Sequence, residues 1–354
     1  MWLENKVFKE DLDYIINVDF IDWSKLDNKT VFITGATGLI GYYLTCALLY
    51  RNMMCRSQIK IIALVRNMEK AKQMFYSQLD DNNINFIEGE LEDFHDIEDN
   101  IDYIIHGAGP TDSRYFIEHP VETIKSLVSG SLKILAFAKN KNIAGMVYLS
   151  SMEVYGNNKN EEYLCEDSEL KLNSSNLRDC YPISKSLIEN LNLAYFSEYG
   201  LPVNSLRISQ TIGAIKNSFN TNKKIVSEIV DCVIDNRDII LLTKGDSKRT
   251  YVYVGDVVTA VLTTLLCGKY GDFYNVSNIN SFSSIYDMAN MVSKKITMNK
   301  INVIVNTEKS IKNLDRFPKP NILNLSSEKL SLLGWKALVN LEEMFRKVIE
   351  SRKG

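Results

Sequence analysis

The stretch TVFITGATGLIG, residues 30–41, decides the fold. Its first half is rich in β-branched and aromatic residues, which favours a strand, and its glycines then permit a tight turn into a helix. Such a turn lets a ligand approach the backbone, and the helix N-terminus supplies free N–H groups and a partial positive charge. The stretch therefore predicts a strand–turn–helix unit that binds the pyrophosphate of a dinucleotide. The residues expected at this site are Gly35, Thr37, Gly38, Leu39, Ile40 and Gly41.

From that turn onward, short apolar segments alternate with segments of helical periodicity, which include the predicted helices from Gly38 to Tyr50 and over 120–141. The strand candidates are KTVFITGA, IKIIALVR, INFIEGEL, IDYIIHGAG, AGMVYLSS and PVNSLRIS. This alternation is typical of βαβ units, and it predicts an α/β fold with a doubly wound parallel sheet. Beyond about Arg207 the pattern loosens, which predicts a smaller C-terminal substrate-binding lobe.

We therefore predict three segments. They are an N-terminal extension over 1–27, a dinucleotide-binding domain over 28–206, and a mainly substrate-binding lobe over 207–354 with some segments that return to the first domain. In the extension, Phe8, Leu12, Ile15 and Ile16 recur at helical spacing. This spacing predicts a short amphipathic helix that packs on the main body or on a partner subunit.

The composition excludes several classes of protein. The chain has 354 residues, a formal net charge of −3, and 45% hydrophobic and 24% charged residues. It lacks the strongly basic balance of a nucleic-acid binder, and no apolar run reaches the ~18 residues that would span a bilayer. The opening MWLENKVFKEDLDYIINVDF does not resemble a secretory signal. Six scattered cysteines and three histidines predict free thiols in a reducing cytoplasm and no metal site.

Two further motifs carry candidate catalytic groups. In YPISK, Tyr181 and Lys185 are four residues apart and share one face of a helix, so the lysine can lower the pKa of the phenol. Such a phenol can act as a general base for a sugar hydroxyl. In SSMEVYG, Ser151 can hydrogen-bond the same sugar oxygen, and Glu153 places a carboxylate near the reacting carbons. SSMEVYG lies at the carboxyl end of the fifth predicted strand, where doubly wound sheets bind ligands, and YPISK lies on the helix that follows.

The end of the second predicted strand bears on the choice of cofactor. An acid there would bind the ribose hydroxyls of NAD, whereas an arginine would accommodate the 2′-phosphate of NADP. The sequence has Arg66 and no adjacent acid, so both cofactors remain open at this point.

The motifs together resemble the extended short-chain dehydrogenase/reductase family, and within it the nucleotide-sugar epimerases, 4,6-dehydratases and decarboxylases. The resemblance covers about 28–350. Further matching segments are HGAG (106–109), RISQTIG (207–213), RTYVYVGD (249–256), YNVS (274–277) and LGW (333–335).

The resemblance implies a set of roles. Ser151, Tyr181 and Lys185 would form the catalytic triad, and oxidation at the sugar C4 would give a 4-keto intermediate. Further cofactor contacts would come from Arg66, Glu90, Leu91, Gly107, Ala108, Tyr181 and Lys185. Gln210 and Arg249 would bind the substrate, a nucleoside-diphosphate sugar. The cofactor would be NAD, with NADP possible, and the enzyme a homodimer. Because enzymes with a Glu153 signature commonly retain NAD, we expect NAD to bind at least as tightly as NADP.

The fate of the intermediate is open in the sequence. Glu153 favours the dehydratase or decarboxylase side, and the segment from Arg178 to Tyr181 is most similar to the UDP-glucuronate decarboxylases. Met152 departs from the pattern of both groups, because a thioether cannot supply the proton of the acid or hydroxyl that they place there. Decarboxylation, 4,6-dehydration, 4-epimerisation and NADPH-dependent reduction of a 4-keto sugar therefore all remain alternatives.

Overall fold

The computed structural model describes residues 4–78, 82–94, 96–214, 225–307 and 320–353. The α-helices in these ranges are α1 (Lys6–Asn17), α2 (Leu39–Cys55), α3 (Met68–Met74), α4 (Ser113–Glu118), α5 (Pro120–Lys141), α6 (Cys180–Tyr199), α7 (Ile225–Ile234), α8 (Val254–Cys267), α9 (Ile285–Met291), α10 (Glu328–Ser331) and α11 (Leu341–Lys353). The strands are β1 (Thr30–Thr34), β2 (Lys60–Val65), β3 (Ile84–Glu88), β4 (Tyr103–His106), β5 (Gly145–Ser151), β6 (Tyr163–Leu164), β7 (Val203–Ile208), β8 (Gln210–Ile212), β9 (Ile239–Leu241), β10 (Lys248–Tyr253), β11 (Phe273–Val276), β12 (Asn278–Ser284), β13 (Val303–Val305) and β14 (Ile322–Leu325).

The main sheet has seven strands in the order β11-β7-β5-β4-β1-β2-β3. All neighbouring pairs in it are parallel. The chain runs outward from β1 in one direction to β3 and then returns to β4, so the strand order reverses between β1 and β4. The predicted doubly wound α/β fold is confirmed, and this reversal is the point at which such sheets bind ligands.

The core explains why the strands are almost continuously apolar. Val31, Phe32 and Ile33 of β1 are fully buried, because helices cover both faces of the sheet. The predicted helix over 120–141 coincides with α5, and α2 runs a few residues beyond its predicted end at Tyr50. The sequence analysis did not predict the short helix α4.

The second part of the chain forms smaller sheets. One has the order β12-β10-β14-β6, with β8 paired to β10, and β9 pairs with β13. The strand β11 leaves this region and joins the edge of the main sheet beside β7. The boundary predicted after residue 206 stays a prediction.

The N-terminal segment contains the predicted amphipathic helix, α1, whose buried face includes Phe8, Leu12, Ile15 and Ile16. The helix packs against the main body on α2, α8 and α11. Its Asp11 is also buried, where the carboxylate accepts hydrogen bonds from Tyr43 Oη at 3.2 Å and from Tyr253 Oη, and pairs with Lys347 Nζ at 2.9 Å. The segment thereby joins α2, the end of β10 and α11.

Candidate active site

The turn between β1 and α2 is a cradle that only small residues can form. Gly35 has a φ of +82°, and a Cβ there would lie 2.8 Å from the carbonyl carbon of Gly107. A Cβ on Gly41 would lie 2.2 Å from the carbonyl oxygen of Gly35. Gly38 is the N-cap of α2 and has no side chain to bond the first N–H groups of the helix. This geometry fits a pyrophosphate held by backbone N–H groups.

The loop after β4 lies directly against this cradle. The N–H of Gly107 donates to the carbonyl oxygen of Thr34 at 3.1 Å, and the N–H of Ala108 donates to Thr34 Oγ1 at 3.2 Å. Thr34 Oγ1 also lies 2.7 Å from Nδ1 of His106. Burial lowers the pKa of His106 to about 3, so this imidazole is neutral and serves as a buried support.

A neighbouring cleft brings together four of the predicted cofactor residues. Arg66, Glu90, Leu91 and Ala108 line it, together with Leu64, Gly89, Gly109 and Ser126. Arg66 and Glu90 are exposed, whereas Leu91 is buried. The cleft opens at the carboxyl ends of β2 and β4, where the adenosine half of a dinucleotide would lie. Of the residues predicted around the glycine turn, Thr37 precedes α2, whereas Leu39 and Ile40 begin it, and all three are partly exposed.

The predicted triad is assembled from two elements. Ser151 ends β5, while Tyr181 and Lys185 occupy successive turns of α6. The Ser151 hydroxyl hydrogen-bonds the phenol of Tyr181. Lys185 Nζ donates to the carbonyl oxygen of Leu149 at 2.7 Å and lies 5.8 Å from the centre of the Tyr181 ring. The structure thus brings the three groups together at the carboxyl edge of the sheet.

The electrostatics of the triad are set by burial. Burial raises the pKa of Tyr181, and the negative charge of Glu153 raises it further, whereas the hydrogen bond from Ser151 and the charge of Arg178 lower it. Burial lowers the pKa of Lys185 to about 7, and the carboxylate of Glu189 opposes that shift. The lysine can therefore change its charge near neutral pH.

Glu153 lies in the short 3₁₀ turn Met152–Tyr155 that follows β5. Its N–H donates to Ser151 Oγ at 3.2 Å, and its carboxylate Oε2 lies 2.8 Å from Arg178 Nη2. The sequence analysis singled out Glu153 but did not predict this ion pair. A signal was present in the position of Arg178, which lies two residues before α6 and three before Tyr181.

A second, buried ion pair connects the elements that carry Ser151, Tyr181 and Lys185. Arg207 and Glu189 are both buried, and Arg207 Nη2 lies 2.9 Å from Glu189 Oε2. Glu189 also accepts a hydrogen bond of 2.6 Å from Ser150, the neighbour of the predicted catalytic residue Ser151. Glu189 stands one turn after Lys185 on α6, so the pair ties this helix to β5 and β7. The sequence analysis did not single out Glu189, although its spacing of four from Lys185 places both on one helix face.

The two predicted substrate residues lie on neighbouring strands. Gln210 of β8 stands opposite Tyr251 of β10, and Arg249 lies two residues before Tyr251 on the same strand. Gln210 and Arg249 are both partly exposed. Nε of Arg249 is buried and has no hydrogen-bond partner among the described residues. A guanidinium in that condition is suited to receive an anionic ligand.

The described residues show neither a metal-binding cluster nor a membrane-spanning helix. They contain no cluster of three or more His, Cys, Asp or Glu side chains that could hold a metal ion. None of the described helices combines the length and apolar character that a membrane crossing requires.

A glycine cradle at the switch point of a doubly wound sheet, beside a Ser–Tyr–Lys triad, defines the class of dinucleotide-binding oxidoreductase-type enzymes. The model of the NAD dependent epimerase/dehydratase family matches residues 31–277, and the chain belongs to that family.

Curated relatives differ in the reaction that their names state. The chain is 26% identical over 336 residues to the human dTDP-D-glucose 4,6-dehydratase, covering 91% of this chain and 89% of that one. It is 25% identical over 331 residues to UDP-glucuronic acid decarboxylase 1 of Danio rerio, covering 92% and 73%. Among solved structures, a dTDP-glucose 4,6-dehydratase from Bacillus anthracis in complex with NAD superposes with a TM-score of 0.73 at 19% identity, covering 92% of this chain and 96% of that one.

Proposed function

We propose that the protein is an NAD-dependent enzyme that oxidises the C4 hydroxyl of a nucleoside-diphosphate sugar. The observation that carries the proposal is the convergence of Ser151, Tyr181 and Lys185 beside the glycine cradle. Both the dehydratase and the decarboxylase relatives are named for nucleotide-linked sugars, which supports the substrate class.

In this proposal each triad member has a separate task. Tyr181 accepts the proton of the C4 hydroxyl, and Ser151 donates a hydrogen bond to the same sugar oxygen. Lys185 would hold the ribose next to the nicotinamide, and its charge would offset the charge on the phenol. Bound NAD supplies the hydride acceptor. Because burial raises the pKa of Tyr181, the phenol depends on such nearby positive charge to serve as a base.

The cofactor cleft favours NAD over NADP. Arg66 could pair with a 2′-phosphate, but Glu90 lines the same cleft and would repel that group. The sequence contains no acid directly beside Arg66, yet the fold supplies one from the segment after β3. Together with the NAD in the Bacillus anthracis structure, this arrangement supports NAD as the cofactor.

Substrate binding is proposed for the strand pair β8–β10. Arg249 would pair with the nucleotide phosphates or with a sugar carboxylate, since its buried Nε lacks a partner among the described residues. Gln210, on the adjacent strand, would contact the sugar.

For the step that follows oxidation, our first candidate is decarboxylation, as in the UDP-glucuronate decarboxylases. A 4-keto group acidifies the neighbouring carbons and makes loss of CO₂ from a C5 carboxylate feasible. Met152 is buried and supplies no proton, so Glu153 is the carboxylate available beside the triad. Epimerisation, 4,6-dehydration and reduction of a 4-keto sugar are the alternatives.

One experiment separates these outcomes. The purified protein is incubated with a panel of UDP- and dTDP-linked sugars and their 4-keto derivatives, with added NAD, with added NADPH and without added cofactor, and product masses are measured. A product that has lost CO₂ supports decarboxylation, and a product that has lost water supports dehydration. A product of unchanged mass but altered chromatographic retention supports epimerisation. A product that has gained two hydrogens supports reduction. Tyr181→Phe is the control that should abolish each signal. The absence of any conversion across the panel would contradict the proposed function.

We also propose that the enzyme is a homodimer. Several apolar side chains on α5 and α6 are exposed, including Val121 at 68%, Ile124 at 44% and Leu187 at 46%. These two helices pack side by side, so a second copy could cover their outer surface with the same surface. Light scattering after size-exclusion chromatography should give twice the chain mass for the wild type and the chain mass for Ile124→Glu. A monomeric wild type would contradict the proposal.

The compartment that we propose is the reducing cytoplasm. All six cysteines lie among the described residues as free thiols, and Cys55 and Cys267 are exposed. Exposed thiols persist where the thiol pool is reduced. Thiol titration of the denatured protein, purified without reductant from the cytoplasm of an expression host, should count six free groups.

A further inference from the structure

A partly exposed salt bridge lies beside Tyr181. Arg178 Nη2 lies 2.8 Å from Glu153 Oε2, and the same guanidinium nitrogen donates to Ser113 Oγ at 3.2 Å. The two charged side chains are 22% and 25% exposed, so neither belongs to the core. The pair joins the turn after β5 to the turn before α6 and to the first residue of α4.

Arg178 is also connected to Tyr181 through an aromatic ring. Its guanidinium carbon lies 5.5 Å from the centre of the Phe116 ring. That ring stacks on the ring of Tyr181 with centres 4.3 Å apart and an interplanar angle of 6°. One guanidinium therefore contacts both the carboxylate of Glu153 and the ring that supports the catalytic phenol.

The turn that carries Arg178 is held by its own hydrogen bonds. The N–H of Arg178 donates to Asn176 Oδ1 at 3.2 Å, and Asn176 Nδ2 donates to Asp179 Oδ1 at 2.7 Å. The other oxygen of Asp179 accepts from the N–H of Asn173 at 3.0 Å. These bonds fix the backbone from which the arginine reaches Glu153.

We propose that Arg178 is a positioning residue that fixes the Glu153 carboxylate and compensates its charge beside Tyr181. The inference rests on the proposed function, because it assigns Arg178 a part in the oxidation step that Tyr181 performs. Without the guanidinium, Glu153 would present an uncompensated negative charge to the phenol, and the phenolate would form less readily.

Among the described residues, Arg178 is the cation that the structure pairs with the Glu153 carboxylate, and this is separate from the role of Lys185, which offsets charge on the phenol itself. Lys185 Nζ is directed at the carbonyl oxygen of Leu149, and α4 contributes the uncharged ring of Phe116. Among the described residues, the titratable or charged groups that face Tyr181 from the surrounding elements are Tyr148 of β5, Glu153, Arg178 and Lys185. The Cys180 thiol contacts the backbone of Tyr181 and the carbonyl oxygen of Phe116. Glu153 and Arg178 are therefore a matched pair whose charges cancel at this position.

The test is the pH dependence of NADH formation in a single turnover. Enzyme with bound NAD is mixed with the sugar that the mass panel identifies, and the transient at 340 nm is followed between pH 6 and 10. The variants are Arg178→Gln, Glu153→Gln and the double variant. Arg114→Gln is the matched control, because Arg114 is an exposed arginine of α4, next to the Ser113 that Arg178 contacts.

Charge compensation predicts a specific order of the variants. Arg178→Gln should move the pH midpoint of the transient upward by about one unit and slow it about tenfold at pH 7. Glu153→Gln should move the midpoint downward. The double variant should return to within about threefold of the wild-type rate at pH 7, because the charge beside the phenol is again balanced. Arg114→Gln should match the wild type.

Two results would overturn the assignment in distinguishable ways. If Arg178→Gln keeps the wild-type midpoint, or if the double variant is slower than both single variants with no shift in midpoint, then Arg178 has only a structural role. If the wild type itself shows no NADH transient with any sugar of the panel, then the proposed function fails and the assignment of Arg178 fails with it.

Discussion

The glycine cradle makes a quantitative prediction about Gly41→Ala. The added methyl would lie 2.2 Å from the carbonyl oxygen of Gly35 and 2.8 Å from Cα of Ala36. Both contacts are with backbone atoms, so no side-chain rotation can relieve them. The turn must move by roughly 1 Å, and overpacking of this kind costs about 1–3 kcal/mol of folding free energy.

The same movement displaces the N–H groups that would hold a pyrophosphate. Loss of one charge-assisted hydrogen bond costs about 1.5–3 kcal/mol, so NAD should bind roughly 10- to 150-fold more weakly to Gly41→Ala. The free energy of unfolding in urea, followed by tryptophan fluorescence, and calorimetric titration with NAD measure the two effects separately.

Gly255→Ala is the matched control. It adds the same methyl group to the first turn of α8, where the nearest atom lies 3.4 Å away in ordinary contact. Its stability should stay within about 0.5 kcal/mol of the wild type, with unchanged NAD affinity. If Gly41→Ala behaved like Gly255→Ala in both measurements, the cradle would not be the pyrophosphate site and the reasoning would be refuted.

Four further substitutions test other parts of the site and the fold. Tyr181→Phe should retain NAD affinity and lose about 10²-fold or more in turnover, as removal of a general base predicts; near-normal turnover would disprove the role. Arg249→Ala should weaken binding of the nucleotide sugar much more than binding of NAD in calorimetry, and equal weakening of both would indicate a structural residue. Arg66→Ala should change NAD affinity little, whereas a tenfold preference of the wild type for NADP that vanishes in this variant would favour the reductase alternative. Burial raises the pKa of the Asp256 carboxyl group from 3.8 to about 6. The protonated carboxyl group therefore contributes fully to folding stability below pH 3.8, and this contribution of about 3 kcal/mol is lost as the pH rises through 6. Asp256→Asn should remove this loss from urea-unfolding measurements at pH 4, 5.5 and 8, and an unchanged pH dependence would contradict the assignment.

The sequence by itself determined six strands of the main sheet and the helix that Tyr181 and Lys185 share. The alternation of apolar strands with helical segments specified a doubly wound fold, and α5 follows its predicted bounds from 120 to 141. The glycines at 35, 38 and 41 and the spacing of Tyr181 and Lys185 could be interpreted directly. These features are local, because a glycine turn and one helix face depend on residues only a few positions apart.

Tertiary structure alone decided how the charges are paired. Arg178 meets Glu153 only because α6 begins beside the carboxyl end of β5, and Glu90 shares a cleft with Arg66 only because β3 lies next to β2. In the N-terminal segment, the sequence predicted a helix but not that its Asp11 would be buried. Partners for buried or half-buried charges come from strands and helices far apart in the chain. Their identity depends on packing and register, and no local pattern of residue types encodes it.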